Sequence, residues 1–542
     1  MNKPTPLNQL LNPAPAKLAW PAPWILLALL ALTAIPRIWL AAKTEYVYPD
    51  GGLYLNWAEA VERGEPYWLF EGKQPSGYVM VLVLLKRLGL EGETAGKIWG
   101  VLISTLTILP LVGWLRRMGD ERLAVWGGVL FAVHPELMEW GPELVREPTC
   151  WFLLVCTLYA LWRALEHGAG WWFCLAGLSL TACIQVRSEG WLLFIPLLIW
   201  TAQRLLVLPV LRGRLLLGTC GMCVLLALLP PVCNRLPLFS VGAKETHNWD
   251  HWKSFSHWLE AKLRPPPAAE TSSVVIVGKP PLSWKAWSWG LRHTLWKGIG
   301  PVYLAAVASL ALCGWNRWKT RTDWWPLWLM AAAHVVCLGV YFDREREILS
   351  RYAGSTFLFL LPAAAAGFSL WSDGLTWLCR KLSTSFPSPR FASHGPALLL
   401  AACLMTWGFH SVAKLDHGGR AEKAELGRWL AQEFGTGRTI WGSERFLRLV
   451  SYYSGSDLHF YRPGRPQLDQ LRHTQADILI LSQLPECHAL TAEIAAHHAS
   501  LGYVPYPSPT IEPVLLFVRP SLLSPRLPTV ITASPSQNSA PK

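Results

Sequence analysis

Apolar runs recur along this chain at roughly 23–42, 96–115, 122–135, 148–165, 171–186, 190–210, 214–233, 298–315, 325–341, 353–372 and 396–413. A helix crossing a hydrocarbon core of about 30 Å needs about 20 apolar residues, and several of these runs are short for that. The pattern predicts a polytopic α-helical membrane protein with about 11 transmembrane helices. The run 77–90 (GYVMVLVLLKRLGL) is shorter still and ends near Lys86 and Arg87, which predicts a helix lying along the membrane. The first run, Trp24–Ala42, is apolar except for Arg37 and lacks a short cleavable signal pattern, so it reads as a retained anchor.

Past residue 413 the periodicity changes. Helical patterns (Ala421–Glu433, Ser443–Ser451, Cys487–Ser500) alternate with strand-like runs (Thr439–Trp441, Leu458–Tyr461, Ala476–Leu481, Pro513–Val518). This predicts a small α/β sandwich. Its GTGR, Gly435–Arg438, precedes a strand and lacks a third glycine, so it does not read as a dinucleotide site. The expected organisation is a cytoplasmic segment 1–22, a membrane domain 23–413 with outer loops 43–95 and 234–297, an extracytoplasmic α/β domain 414–520, and a disordered Pro/Ser-rich tail 521–542.

Composition agrees. The 542 residues are 52% hydrophobic and 16% charged, where soluble domains carry about 25% charge. A net charge of +13 would suit nucleic acid, but the basic residues fall in short loops between apolar runs: Arg116, Arg117 and Arg122; Arg163; Arg212 and Arg214; Arg317, Lys319 and Arg321; Arg380, Lys381 and Arg390. That is the positive-inside pattern, and it leaves no call for a nucleic-acid partner. An odd number of spans then puts loop 43–95 and the C-terminal domain together on the outer side. The 32 tryptophans suit bilayer interfaces. The 12 cysteines are scattered in apolar surroundings, including the Cys220/Cys223 pair, and read as packing residues.

Candidate chemistry clusters in the outer loops. Asp50 lies in Pro-Asp-Gly-Gly, a strong turn sequence. Tyr54 and Ala58 follow at helical spacing, so a helix starts just after the turn. Its positive end favours the ionised carboxylate that a general base needs. Lys73, in FEGKQPSGY, is either a snorkelling lysine or a point charge for a phosphate. The stretch HPELMEWGPELVREP, His134–Pro148, carries Glu136, Glu139, Glu143, Arg146 and Glu147. Glu143 and Glu147 are one turn apart and are expected on one helix face. Glu147 opens a span, where ionisable groups mark functional sites. Arg187 and Glu189, in RSEG, either cap helix ends as a pair or serve a site. Arg351 and Tyr352 close FDREREILSRY and enter the next span. In HNWDHWKSFSHW, His247, Asp250, His251 and His257 suggest a metal site, but the interleaved tryptophans favour an amphipathic interfacial helix.

In this order, the motifs resemble the GT-C superfamily of membrane glycosyltransferases, in particular protein O-mannosyltransferases, lipid A aminoarabinose transferases and family 39-like enzymes. Asp50 with Tyr54, Ala58 and Gly64 matches the first-loop pattern. FEGKQPSGY resembles a Phe-Glu-Lys-Pro-Pro-x-x-Tyr stretch whose lysine contacts the donor phosphate. RSEGW is similar to an Arg-Pro-Glu-Gly turn, and SRY resembles an Arg-Tyr opening a late span. Two departures stand out. Many relatives have Asp-Glu where this chain has Asp50-Gly51, and their double proline is Pro75-Ser76 here.

The resemblance implies an inverting glycosyltransferase taking sugar from a polyprenyl-phosphate donor to a protein, lipid or glycan acceptor at the outer membrane face. It implies Asp50 as base. Tyr54, Lys73, Glu143, Glu147, Arg187, Glu189, Arg351 and Tyr352 would bind substrate, with membrane lipids around them. It fixes no cofactor and leaves a divalent metal open. A lipid-linked sugar transporter or flippase would also use intramembrane charges, but the chain shows no inverted repeat. An O-antigen ligase or polymerase is a second alternative. A scaffold would not need the acidic first loop.

Overall fold

The computed structural model describes residues 22–63, 77–90, 92–207, 212–235, 284–313, 324–345, 349–382, 389–413, 418–442, 444–460, 471, 476–482, 488–507 and 514–523. Lys73, the His247–His257 motif, and the greater part of the two terminal segments lie outside them. The chain forms two compact units, Met1–Asp416 and His417–Lys542.

Each apolar run holds a helix. In chain order the first unit contains α1 (Pro23–Lys43), α2 (Pro49–Glu62), α3 (Gly77–Arg87), α4 (Gly92–Leu106), α5 (Ile108–Met118), α6 (Glu121–Val133), α7 (Pro135–Trp140), α8 (Glu147–His167), α9 (Gly170–Val186), α10 (Phe194–Val207), α11 (Arg212–Arg235), α12 (Trp284–Ile299), α13 (Pro301–Cys313), α14 (Trp325–Glu345), α15 (Ala353–Leu382) and α16 (Pro389–Ala413). Short 3₁₀ turns at Ser188–Leu193 and Ser350–Tyr352 precede α10 and α15. Among the described residues, six helical stretches are long and apolar enough to cross a membrane. One of them runs through α4 and α5, Gly92–Met118. It breaks at Thr107 because Pro110 has no N–H to give the Leu106 carbonyl.

One large apolar core runs through α5, α6, α8 and α9 to α13 and α15. Trp114, Trp151 and Trp200 are fully buried in it, whereas Trp24, Trp171 and Trp325 are exposed. Tryptophan therefore fills the core as well as the periphery. In α3 the residues Tyr78, Val79, Leu82, Val83 and Leu85 are buried, and the helix packs on α2 and α4.

Arg37 explains its own presence in an apolar helix. Its Nη1 donates to the carbonyls of Thr33 (2.9 Å) and Ala132 (3.2 Å), and its Nη2 to those of Phe131 (3.5 Å) and Leu137 (3.1 Å). Helix α6 stops at Val133, ahead of Pro135, which strands carbonyls that a continuing helix would have bonded. Arg37 supplies the missing donors and its charge suits a helix C-terminus. Gly141 makes room: a Cβ there would lie 2.6 Å from Arg37 Nε. Arg37→Met should lower the thermal midpoint in detergent, at about 1–3 kcal/mol for each buried carbonyl left without a donor. An unchanged midpoint would show that water replaces the guanidinium there.

The second unit carries a five-stranded sheet. Its elements are α17 (Gly418–Phe434), β1 (Thr439–Gly442), α18 (Glu444–Ser454), β2 (Asp457–Phe460), β3 (Ile478–Ser482), α19 (His488–His497), β4 (Val504–Tyr506) and β5 (Val514–Val518). The order is β2-β1-β3-β5-β4, with β1 parallel to β2 and β3, and β5 antiparallel to β3 and β4. Alternating side chains serve two cores. Ile440, Ile478, Ile480, Leu516 and Val518 meet Leu426 and Leu430 of α17 and Leu447 and Val450 of α18. Trp441, Leu479, Leu481 and Phe517 meet Ile494 of α19. The sheet is therefore covered by helices on both faces, an α/β sandwich as the alternation predicts. Strand β4 escapes the sequence pattern: it is three residues long with Pro505 inside, tolerable because it is an edge strand.

Candidate functional site

Asp50 sits in the first turn of α2, after Pro49 at the first helical position. Proline pre-sets the backbone there, and an ionised carboxylate suits the helix dipole. The N–H groups of Gly51 and Gly52 both point to the Tyr48 carbonyl, at 2.7 and 3.3 Å. The expected turn is thus the opening of the helix itself.

The neighbouring glycine is required by packing. A Cβ at Gly51 would stand 2.8 Å from the Leu144 carbonyl oxygen and 3.0 Å from the Leu144 Cβ. Backbone this close leaves no room for the second carboxylate that many relatives carry. Gly51→Glu is therefore expected to destabilise the protein by about 1–3 kcal/mol, read as a lower thermal midpoint, with transfer reduced alongside it. A rise in activity would show that the site lacks its paired acid.

Arg351 projects from the Ser350–Tyr352 turn into the space beside Asp50. Its Nη2 forms an ion pair with Asp50 Oδ2, and its Nε lies 3.2 Å from Glu147 Oε1. Arg187 completes the cluster. Its Nε donates to both Glu189 oxygens at 2.9 and 2.8 Å, its Nη2 also bonds Glu189, and its Nη1 bonds Glu147 Oε1. Arg187, Glu147 and Arg351 are buried, at 8%, 2% and 3% exposure. Charges this deep persist only when paired. Burial alone would raise the Glu189 carboxyl, but the Arg187 charge and hydrogen bonds outweigh it and hold the pKa at about 2. The Arg187–Glu189 pair thus stabilises the fold above the ordinary carboxylate range and fails only as pH falls toward 2.

Aromatic rings wall the cluster. The Arg351 guanidinium lies 4.8 Å from the Tyr48 ring, 5.2 Å from Trp140 and 5.2 Å from Tyr352. Arg187 lies 4.9 Å from the same Tyr352 ring. Burial lifts the Tyr48 phenol to about 12, so it stays a neutral wall. Within this crowd Arg351 Nη1 and Glu147 Oε2 are buried and have no hydrogen-bond partner among the described residues. An unmatched guanidinium N–H here suits an anion, and the carboxylates beside it suit a group that must lose a proton.

Asp50, Glu147, Arg187, Glu189, Arg351 and Tyr352 thus come together from distant segments. Tyr54 is buried one turn beyond Asp50, edge-on to Tyr78 at 5.4 Å, and feels the charges of Asp50, Arg146, Glu147 and Arg351. Glu143 is buried too, but it shares no helix face with Glu147: residues 141–146 are bends, and α8 begins only at Glu147. Gly141-Pro142 ends the preceding helix, while Pro148 favours a fresh start. Sequence reasoning missed Tyr48 and Trp140, and it noted Arg146 without giving it a role. Arg146, whose field reaches Tyr54, Glu147 and Glu189, was visible in REP beside Glu147. Tyr48 and Trp140 carried no signal beyond proximity to acidic residues. Among the described residues no three His, Cys, Asp or Glu side chains are grouped to hold a metal ion.

An apolar groove of about 530 Å³, lined by Trp287, Leu291, Leu295, Trp328, Val335 and Leu360, opens between α12, α14 and α15. Helix α12 also packs against the Ser350–Tyr352 turn.

Residues 73–233 match the family model of dolichyl-phosphate-mannose-protein mannosyltransferases. Glu147, Arg187 and Glu189 fall inside that stretch; Asp50 and Arg351 fall outside it. No curated protein matches the sequence. The solved structure of ArnT from Cupriavidus metallidurans bound to undecaprenyl phosphate is similar over 93% of this chain and 99% of that one, at 15% identity and a TM-score of 0.54. The archaeal oligosaccharyltransferase AglB from Archaeoglobus fulgidus, in complex with an inhibitory peptide and a dolichol-phosphate, is similar over 89% of this chain and 71% of that one, at 11% identity and a TM-score of 0.48. For the arabinofuranosyltransferase AftD from mycobacteria the shares are 92% and 42%, at 12% identity and a TM-score of 0.47. At such identities likeness speaks for fold, and of these three only the ArnT structure is near enough to do so. With the match over residues 73–233, that shared architecture agrees with the resemblance of the motifs: the chain has a GT-C-type membrane fold and carries a stretch of mannosyltransferase-family sequence.

Proposed function

We propose that this protein transfers a sugar, with inversion, from a polyprenyl-phosphate donor to a hydroxyl or amine acceptor at the outer face of the membrane. The observation that carries this reading is the buried Arg351 guanidinium, which pairs with Asp50 while its Nη1 has no hydrogen-bond partner among the described residues. A phosphate that takes Nη1 comes to rest beside Asp50, with its anomeric carbon within reach of a nucleophile deprotonated there.

The steps follow from the charges. Asp50 accepts the acceptor's proton as its oxygen or nitrogen attacks the anomeric carbon. The bond from that carbon to the phosphate oxygen breaks, and the polyprenyl phosphate leaves with the electron pair. A single displacement from the opposite face inverts the centre. Arg351 stabilises the leaving phosphate. Arg187 holds Glu147 and Glu189 in place, and Glu147 orients Arg351. The three carboxylates Asp50, Glu147 and Glu189 face the guanidinia of Arg146, Arg187 and Arg351, so an arriving phosphate needs further positive charge. Lys73 is placed in sequence to supply it. The groove beside α12 accommodates part of the lipid. The ArnT structure, bound to undecaprenyl phosphate, supports a lipid-phosphate donor. The alternating basic loops support an outer site, and the acceptor is a protein, lipid or glycan.

The test uses the purified full chain in lipid nanodiscs with a panel of radiolabelled polyprenyl-phosphate sugars. Release of free polyprenyl phosphate is expected with at least one donor. Movement of intact donor across proteoliposomes, with no cleavage of any donor, would establish a transporter instead.

A further inference from the structure

We propose that Glu136 is a positioning residue for Arg351, an inference that rests on the functional reading above. Glu136 is buried on the short helix α7. One oxygen, Oε2, accepts two hydrogen bonds: from Trp140 Nε1 at 2.9 Å and from Ser350 Oγ at 2.9 Å. Both donors belong to the surroundings of Arg351. The Trp140 ring lies 5.2 Å from the Arg351 guanidinium and meets the Tyr48 ring edge-on at 5.0 Å. Ser350 is the residue before Arg351 and opens the turn from which Arg351 projects. A single carboxylate oxygen therefore ties the aromatic wall to the backbone turn across 214 residues of sequence.

Helix α12 closes on the same turn. The Ser350 carbonyl oxygen stands 2.6 Å from where a Cβ would lie at Gly298. Helix α12 thus packs directly on the turn that Glu136 holds. Without Glu136 the ring and the turn lose their common anchor, and Arg351 loses its fixed distance to Asp50. Oriented cations lose most of their catalytic value when displaced by about an ångström. Both bonds to Glu136 Oε2 come from residues that surround Arg351. Its effect is therefore expected to pass through Arg351.

The experiment measures undecaprenyl phosphate binding and transfer turnover with the full chain in nanodiscs. Glu136→Leu is expected to weaken binding and turnover about tenfold or more. Glu136→Gln keeps an oxygen that accepts from both donors, and should restore most of each. In an Arg351→Lys background, Glu136→Leu should change binding by less than about twofold, because the group it positions is gone. Equal losses in both backgrounds, or a Gln variant as poor as Leu, would overturn the proposal. Should Glu136→Leu fail to fold, Trp140→Phe and Ser350→Ala each remove one bond to Oε2. Each is expected to weaken binding by about twofold to fivefold at a nearly unchanged thermal midpoint, and no loss in either overturns the proposal. If wild-type protein binds no undecaprenyl phosphate and cleaves no donor, the functional reading falls and takes this inference with it. Binding and cleavage by wild type with an inert Glu136 overturn the inference alone.

Discussion

Asp50→Asn is expected to leave a folded protein that binds donor and transfers sugar about 10²–10⁴ times more slowly. The amide is nearly the shape of the carboxylate. Asparagine is as much at home after proline in this turn, and its oxygen still accepts from Arg351 Nη2. Arg351 also keeps Glu147 beside its Nε at 3.2 Å, so the substitution does not leave a buried cation without any carboxylate. What disappears is the ability to take a proton. A purely structural Asp50 gives the opposite result: near-normal turnover with some loss of stability. Turnover and thermal midpoint measured on the same preparation separate the two. A variant that retains most of the wild-type turnover would remove Asp50 from the mechanism.

Arg351→Ala is expected to be damaging in two ways at once. Asp50 and Glu147 would face each other without the cation between them, and breaking a buried pair typically costs about 3–5 kcal/mol. Donor affinity would fall as well, by the worth of a charge-assisted contact to phosphate, about 1.5–3 kcal/mol. Arg351→Lys separates the two losses. Lysine keeps the charge but not the planar fork that reaches Asp50 and a phosphate together. It should therefore recover most of the stability while polyprenyl-phosphate binding stays about tenfold to a hundredfold weaker. A Lys variant with wild-type affinity would show that Arg351 serves the fold and not the donor.

The helical half of this molecule is legible because its signal is local. A run such as 148–165 states its own length and polarity, and helix α8 occupies Glu147–His167. The charged residues of the site are legible for a related reason: a carboxylate or guanidinium at the edge of an apolar run demands an explanation wherever it occurs. Glu147, Arg187, Glu189 and Arg351 stand at such edges, Asp50 stands in a turn sequence between two apolar runs, and they meet. Their pairing is not legible, since Asp50 and Arg351 are 301 residues apart. Tyr48 and Trp140 escape notice because an aromatic beside an apolar run is unremarkable until a guanidinium lies against it. The expected common face of Glu143 and Glu147 fails on Gly141-Pro142, where helical spacing was read across a break that the two residues themselves announce.

Arg37 bears on how the chain enters the bilayer. Its acceptor at Ala132 is made 95 residues later, which at about 5–20 residues per second is a delay of roughly 5–20 s. An arginine well inside an inserting helix carries a penalty of up to about 2.5–3.5 kcal/mol at the translocon. During that interval the Thr33 carbonyl of its own helix is at hand, and water, lipid phosphate or the insertion machinery must stand in for the later acceptors. The first helix, although made first, therefore waits for α6 and α7 before Arg37 finds its full set of acceptors.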